Sequence, residues 1–388
     1  MPMDRKIRLG SMKALLALTL AFGVALPGQV SCAEHDGFLE TVHRHATLTS
    51  TIAENGDLNP TAIALSPVTA GHLHEGDVLV DNFNNAANLQ GMGVTIMRYR
   101  PSIGETVLFA RLPHTLEQCP GGVGLGIAMT VLKSGWVIVG SAPSSDGSMD
   151  TRGTGCLLVL DAHGHLRAVW SDPNINYPWS NIVGVDSGDR ATLFIGMAGF
   201  DVPGPGAQDP ETGEVPTVRK ATVLRLSLSV KDAEPPVITE ETVVADGFGQ
   251  QPDEGAFLIG PTGLALGRDG VLYVADSVDN RIVAVDGALD RTDSARDGRE
   301  ITRDGLLRQP LAMAMTPGGN LLVTNAKNGQ VVEIDPEAGR QLYAHWINVN
   351  PVQPAPGNGA LFGIAMRPDG NGFYYVSDDI NALVEASR

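Results

Sequence analysis

The chain has 388 residues, of which 43% are hydrophobic, and 44 Asp+Glu against 27 Lys+Arg give a formal net charge of −17. Such acidity repels phosphate backbones and anionic lipid, which excludes nucleic acid as a partner, while the apolar fraction suffices for a large core without staples. No Cys-x-x-Cys, Gly-rich phosphate loop or Gly-x-Ser-x-Gly elbow is present, so the common redox, nucleotide and serine-hydrolase motifs are missing.

The chain opens with Arg5, Lys6, Arg8 and Lys13, an uncharged run from Ala14 to Leu26, and the small-x-small sequence Ser31-Cys32-Ala33. This reads as a secretory signal over residues 1–33, too short to span a bilayer, leaving one domain over 34–388 in the periplasm or secreted medium. Lipid attachment at Cys32 is the alternative, but Gln29 stands where such signals place leucine. Removing the segment leaves 23 Lys+Arg against 43 Asp+Glu, a net of −20, and two cysteines, Cys119 and Cys156. In an oxidising compartment such a pair is expected to be bridged.

Downstream, His45 to Asn55 reads as a strand with no repeat of its own. Six copies of one pattern follow, each an apolar strand, a turn, an alternating strand, a polar turn and a third strand. Their first strands lie near 60–65, 124–129, 181–185, 261–266, 310–315 and 361–366. The last three copies match almost position for position: GPTGLALGRDGVLYVADSVDNRIVAVD from Gly260, QPLAMAMTPGGNLLVTNAKNGQVVEID from Gln309 and LFGIAMRPDGNGFYYVSDDINALVEAS from Leu361. Self-similarity at this period, in short β-branched strands bounded by Gly, Pro, Asp and Asn, predicts an all-β, six-bladed propeller. The last copy stops after three strands, so the orphan N-terminal strand is expected to complete its blade and close the ring.

These copies resemble the NHL repeat, clearly over 260–388 and more weakly over 60–230, which implies the six-bladed propeller and no single activity. The segment GPTGLALGRDGVLYVADS is also similar to the gluconolactonase/regucalcin family of propellers, metal-dependent lactone hydrolases. That likeness implies a Glu, an Asn and an Asp at the starts of first strands. Asn181 matches the Asn, but Thr262 stands where the Asp would be and Asn59-Pro60-Thr61 offers no Glu.

Loops entering first strands and loops joining second to third strands open on one face, and there the long segments gather: 82–93, 142–155, 172–179, 201–217, 247–260 and 349–359. Long loops on one rim of a rigid scaffold are where binding residues collect. Second strands there end in Asn82, Asp276, Asn325 and Asp378, oxygen donors suited to Ca²⁺ or another divalent cation, or else caps of their own turns. Tyr177, Trp179, Phe248, Phe257 and Phe362 precede or open first strands and could wall the axial mouth or wedge blades together. The pairs His43/His45, His72/His74 and His163/His165 have a spacing that puts both rings on one face of a strand, as metal binding would need. The last two fall in second-face turns of different blades with no third ligand nearby in sequence, so the expected reading is solvated histidines. The expected function is a monomeric binding platform for a small molecule, a glycan or an extracytoplasmic protein. The alternative is a metal-dependent hydrolase or lyase of the gluconolactonase type. Cys119, which precedes the first strand of its blade, and Cys156, which opens the third, are expected to form the disulfide.

Overall fold

Residues 37–204, 211–231, 233–352 and 354–388 are described by a computed structural model; the expected signal, residues 1–33, lies outside them. Alternating apolar residues, punctuated by turn formers, produce six antiparallel sheets arranged as a six-bladed β-propeller. Strand β1 (Arg44–Ser50) precedes blade 1, which holds β2 (Leu58–Leu65), β3 (Val78–Asn84), β4 (Thr95–Arg100) and β5 (Glu105–Arg111). Blade 2 holds β6 (Leu125–Val131), β7 (Val137–Ser141), β8 (Cys156–Leu160) and β9 (Leu166–Trp170). Blade 3 holds β10 (Val183–Asp186), β11 (Arg190–Met197), β12 (Val218–Lys231), β13 (Glu234–Asp253) and β14 (Phe257–Ile259). Blade 4 comprises β15 (Pro261–Leu266), β16 (Leu272–Asp276), β17 (Arg281–Val285) and β18 (Arg299–Arg303). Blade 5 comprises β19 (Pro310–Met315), β20 (Leu321–Asn325), β21 (Gln330–Asp335) and β22 (Arg340–Trp346); β23 (Leu361–Met366), β24 (Gly372–Ser377) and β25 (Ala382–Ser387) belong to blade 6.

The first strands crowd the axis. A Cβ on Gly263 of β15 would stand 1.9 Å from the carbonyl oxygen of Leu311 on β19, so only glycine lets these two blades approach. The outer strand of the last sheet is β1, which pairs antiparallel with β25 and sets His45 opposite Ala386. Just before it, a 3-10 turn at Leu39–Thr41 rests on buried Glu333 of β21, whose carboxylate accepts the backbone N–H groups of Phe38 (2.9 Å) and Leu39 (2.8 Å). Phe38, Leu39 and Val42 add their side chains to the core of blades 5 and 6.

Blade 3 departs from the loops expected there. Residues 247–260 continue as strand: β12 and β13, 14 and 20 residues long, form a twisted two-stranded arm with repeated bulges, and β14 folds back on it as a fifth strand. The segment 227–240 also belongs to that hairpin. The expectation failed because Gly, Gln, Pro and Asp in this stretch signal breaks, whereas pairing to a long partner strand overrides those weak local preferences.

Candidate functional site

The tip of the arm reaches over to other blades. Asp253 accepts from Lys327 Nζ (2.7 Å) and Gln309 Nε2 (3.1 Å) of blade 5, and Gly255 lies against Gly359 at the entry to blade 6. Burial favours the neutral form of Asp253, but Lys327 and the hydrogen bonds outweigh it and hold the carboxyl below its usual range. Between this tip and blades 6, 1 and 2 lies a cavity of about 490 Å³ on the long-loop face. Its walls come from blades 6, 1 and 2 and from the tip of the blade 3 arm, and they form the mouth of the long-loop face.

Its chemistry is uniform. Carboxamides come from Asn59, Asn84, Asn88, Gln90, Asn358 and Asn381, carboxylates from Glu254, Asp378 and Asp379, and among the described residues no Lys, Arg or His lines it. Asn84 Nδ2 donates to Asn88 Oδ1 (2.7 Å) and Asn59 N–H donates to Asn381 Oδ1 (2.7 Å), which fixes three of these amides. The Oδ1 atoms of Asn59 and Asn84 are buried and have no hydrogen-bond partner, although both residues are over nine-tenths buried. An acceptor left in that state is costly unless a ligand or an ordered water supplies the donor. Burial, reinforced by the Asp379 carboxylate, pushes Asp378 up to about 7.

Of the four residues expected at second-strand ends, only Asp378 reaches this mouth. Asn82 is buried, with Nδ2 donating to the Thr51 carbonyl (2.9 Å) and to Thr95 Oγ1 (3.1 Å). Asn325 accepts from Arg308 N–H (2.9 Å) and donates to the Leu306 carbonyl (3.0 Å). Asp276, fully buried, accepts from Arg281 Nε (2.8 Å); burial raises it to about 6 despite that cation. These three are struts: Asn82 and Asn325 tie the ends of their strands to the loops entering their blades, and Asp276 is tied to the start of the next strand. Register explains the exception: Pro261 and Pro310 pair with Asp276 and Asn325, but Leu361 pairs with Ser377, so Asp378 stands one residue past its strand.

The aromatic residues do not form an open wall. Tyr177, Trp179, Phe248, Phe257 and Phe362 are all buried in one cluster with Phe83. Ring centroids are 5.3 Å apart for Phe83–Trp179, 5.6 Å for Phe83–Phe257 and 6.3 Å for Tyr177–Phe257, and Trp179 Nε1 donates to the Leu258 carbonyl. Tyr177 (φ 53°) and Phe257 (φ 65°) adopt left-handed backbone that bulky residues avoid, held there by this packing. The cluster adjoins the mouth along the chain: Phe83 precedes Asn84, and Phe257 lies two residues past Gly255. Rings this large need enclosure on both faces, which interblade space offers and a wet rim does not.

A lactonase-type cation does not fit these residues. Asn181 spends both amide groups on Leu264, donating to its carbonyl (2.8 Å) and accepting from its N–H (2.7 Å). Thr262 Oγ1 lies 3.0 Å from Ser277 Oγ and 3.1 Å from the Gly260 carbonyl. Among the described residues no three His, Cys, Asp or Glu side chains converge as metal ligands.

The disulfide joins Cys119 to Cys156 with Cα atoms 5.2 Å apart, binding the entry loop of blade 2 to its third strand. Beside it a second cavity of about 550 Å³ opens between blades 1 and 2, lined by Asp57, Met92 and His114 among others. Sequence reasoning missed two groups here. Asp81 is fully buried, accepts from Ala62 N–H (2.7 Å) and is raised by desolvation to about 7. The mouth amides Asn84, Asn88, Asn358 and Asn381 were also missed; their signal is an Asn in every first-face turn of blades 1 and 6.

No family model and no curated protein sequence matches the chain. Solved structures share its fold at low identity. A luciferin-regenerating enzyme is 12% identical, with 87% of this chain and 94% of that one covered and a TM-score of 0.52. A gluconolactonase from Xanthomonas campestris is 14% identical, with 89% of each chain covered and a TM-score of 0.50. The PQQ-bound aldose sugar dehydrogenase from Streptomyces coelicolor is 14% identical over 89% of this chain and 98% of that one, with a TM-score of 0.52.

Proposed function

We propose that the chain is an exported propeller that binds a neutral, hydroxyl-rich small molecule, a saccharide or the end of a glycan, at the axial mouth. The observation that carries this is the lining of six carboxamides and three carboxylates without a cation, over two buried acceptors that lack donors. Carboxamides match hydroxyl groups as donors and acceptors at once, and unpaired acceptors favour a ligand that brings O–H groups. The carboxylates select against sugar acids and phosphates. Export is supported by the signal-like N-terminus and the disulfide; no helix among the described residues is long and apolar enough to cross a membrane. Calorimetric titration with a panel of neutral saccharides, sugar acids and sugar phosphates tests the reading. Binding confined to neutral sugars and weakened at least about tenfold in Asn84→Ala supports it; binding confined to the anionic members overturns it.

A second reading rests on Asp378. A carboxyl raised to about 7 in a polar cavity suits general acid–base work at neutral pH. Turnover of a sugar lactone or ester that disappears in Asp378→Asn, with binding retained, would place the hydrolase or lyase reading first.

A further inference from the structure

The outer strands of blades 5 and 6 meet at one point the mouth does not use. His45 of β1 and His345 of β22, 300 residues apart in sequence, set their Nε2 atoms 3.2 Å from each other. The ring planes lie 9° from parallel with centroids 5.4 Å apart. Outer strands of neighbouring blades are not required to touch, and here the contact falls where the N-terminal segment, anchored on Glu333, enters the strand that completes blade 6.

We propose that His45 and His345 form a two-ligand site for a borderline divalent cation such as Zn²⁺, which fastens β1 to blade 5. Two imidazole nitrogens bound at about 2.0–2.1 Å to a tetrahedral centre stand roughly 3.3 Å apart, so the observed spacing accommodates the ion with little backbone movement. Imidazole pairs suit Zn²⁺, Cu²⁺ and Ni²⁺, and the hard cations that prefer oxygen are not held. A cavity of about 300 Å³ beside the pair, lined by His45, Asn348 and Tyr375 among others, leaves room for water at the remaining positions. No third His, Cys, Asp or Glu completes the set among the described residues, so the affinity is that of a two-ligand chelate. The ion binds the folded ring and not the separated strands, so occupancy stabilises the closure.

The test is calorimetric titration of Zn²⁺ into chelator-stripped protein expressed from its full reading frame, with thermal unfolding in parallel. His163→Gln serves as the control, because His72, His163 and His165 gather on a separate surface with ring centroids 4.7 Å apart for His72–His163. The expected result is one equivalent bound, weakened at least about tenfold in His45→Gln and equally in His345→Gln, and unchanged in His163→Gln. At a hundredfold excess over Kd the folding equilibrium constant rises about a hundredfold in the parent and in His163→Gln but not in the other two. Absence of binding, binding that survives both seam substitutions, or binding lost in His163→Gln would each overturn the proposal. Because the two seam residues lie on different blades, a variant that fails to fold leaves the other to decide.

Discussion

Blade 4 carries VLYVADSVDN over 271–280 and blade 6 carries GFYYVSDDIN over 372–381, one with an aspartate at the end of its second strand and the other with an aspartate just past it, yet the two do opposite things. Asp276 sits inside the strand register, fully buried against Arg281. Asp378 falls one residue later, at the position that Ser277 fills in blade 4 by bonding the Pro310 carbonyl (2.5 Å) of the next blade. A serine can be enclosed between blades because one neighbouring carbonyl satisfies it, whereas a carboxylate cannot, and Asp378 faces the mouth. Side chains alternate along a strand, so a shift of one residue converts a strut into a candidate ligand contact.

The largest effect should come from breaking the strut. Arg281 holds Asp276 at 2.8 Å and Asp297 at 2.8 Å, and Arg281→Met strands a buried carboxyl, so urea unfolding at pH 8 should show a loss of about 3–5 kcal/mol. Asp276 already has a raised value of about 6, and stability linked to a raised carboxyl is present at low pH and lost as pH rises through it. The same variant should therefore lose less at pH 5 than at pH 8. An equal loss at both would show that the pair is not the strut it is taken to be.

Next in size is the covalent strut. Cys119 and Cys156 close a loop of sequence separation 37, worth about 3–4 kcal/mol in the chain-entropy account, and the paired substitution to Ala should lower stability by that amount. If unfolding is unchanged, blade 2 holds its rim by packing alone.

The smallest change in stability belongs to the mouth. Asp378 is raised to about 7, so it favours folding when neutral, well below that pH, and ceases to do so once ionised above it. Asp378→Asn should be neutral at pH 4 and should stabilise at pH 8 by about 1–2 kcal/mol, less than the full pKa difference because solvent reaches the cavity. A destabilisation at pH 8 would mean that the carboxylate has a structural partner.

The blade count and all six first strands were legible in the sequence to within about two residues, because the repeat couples a period-2 apolar pattern to fixed turn residues. The disulfide was legible as well, since only two cysteines remain once the expected signal is set aside. The mouth was only half legible. Asp378 was singled out together with Asn82, Asp276 and Asn325, but the register that separates it from them depends on which residue its partner strand presents. Tyr177, Trp179 and Phe257 were read either as a wall of the axial mouth or as wedges between blades, and the buried cluster with Phe83 bears out the second; the choice was not legible because nothing local shows that Phe83 comes from another blade to enclose them. His345 carries no signal that could place it beside His45, since a contact across 300 residues is set by ring closure alone.

The most direct test compares Asp378→Asn and Asn84→Ala at the mouth with Asn325→Ala in the struts, using whichever neutral saccharide binds the parent best. Affinity should fall at least about tenfold in both mouth variants without a fall in Tm, whereas Asn325→Ala should lower Tm and leave Kd unchanged, because only the first two line the mouth. The reverse pattern, with affinity lost in Asn325→Ala and kept in the mouth variants, would contradict the account.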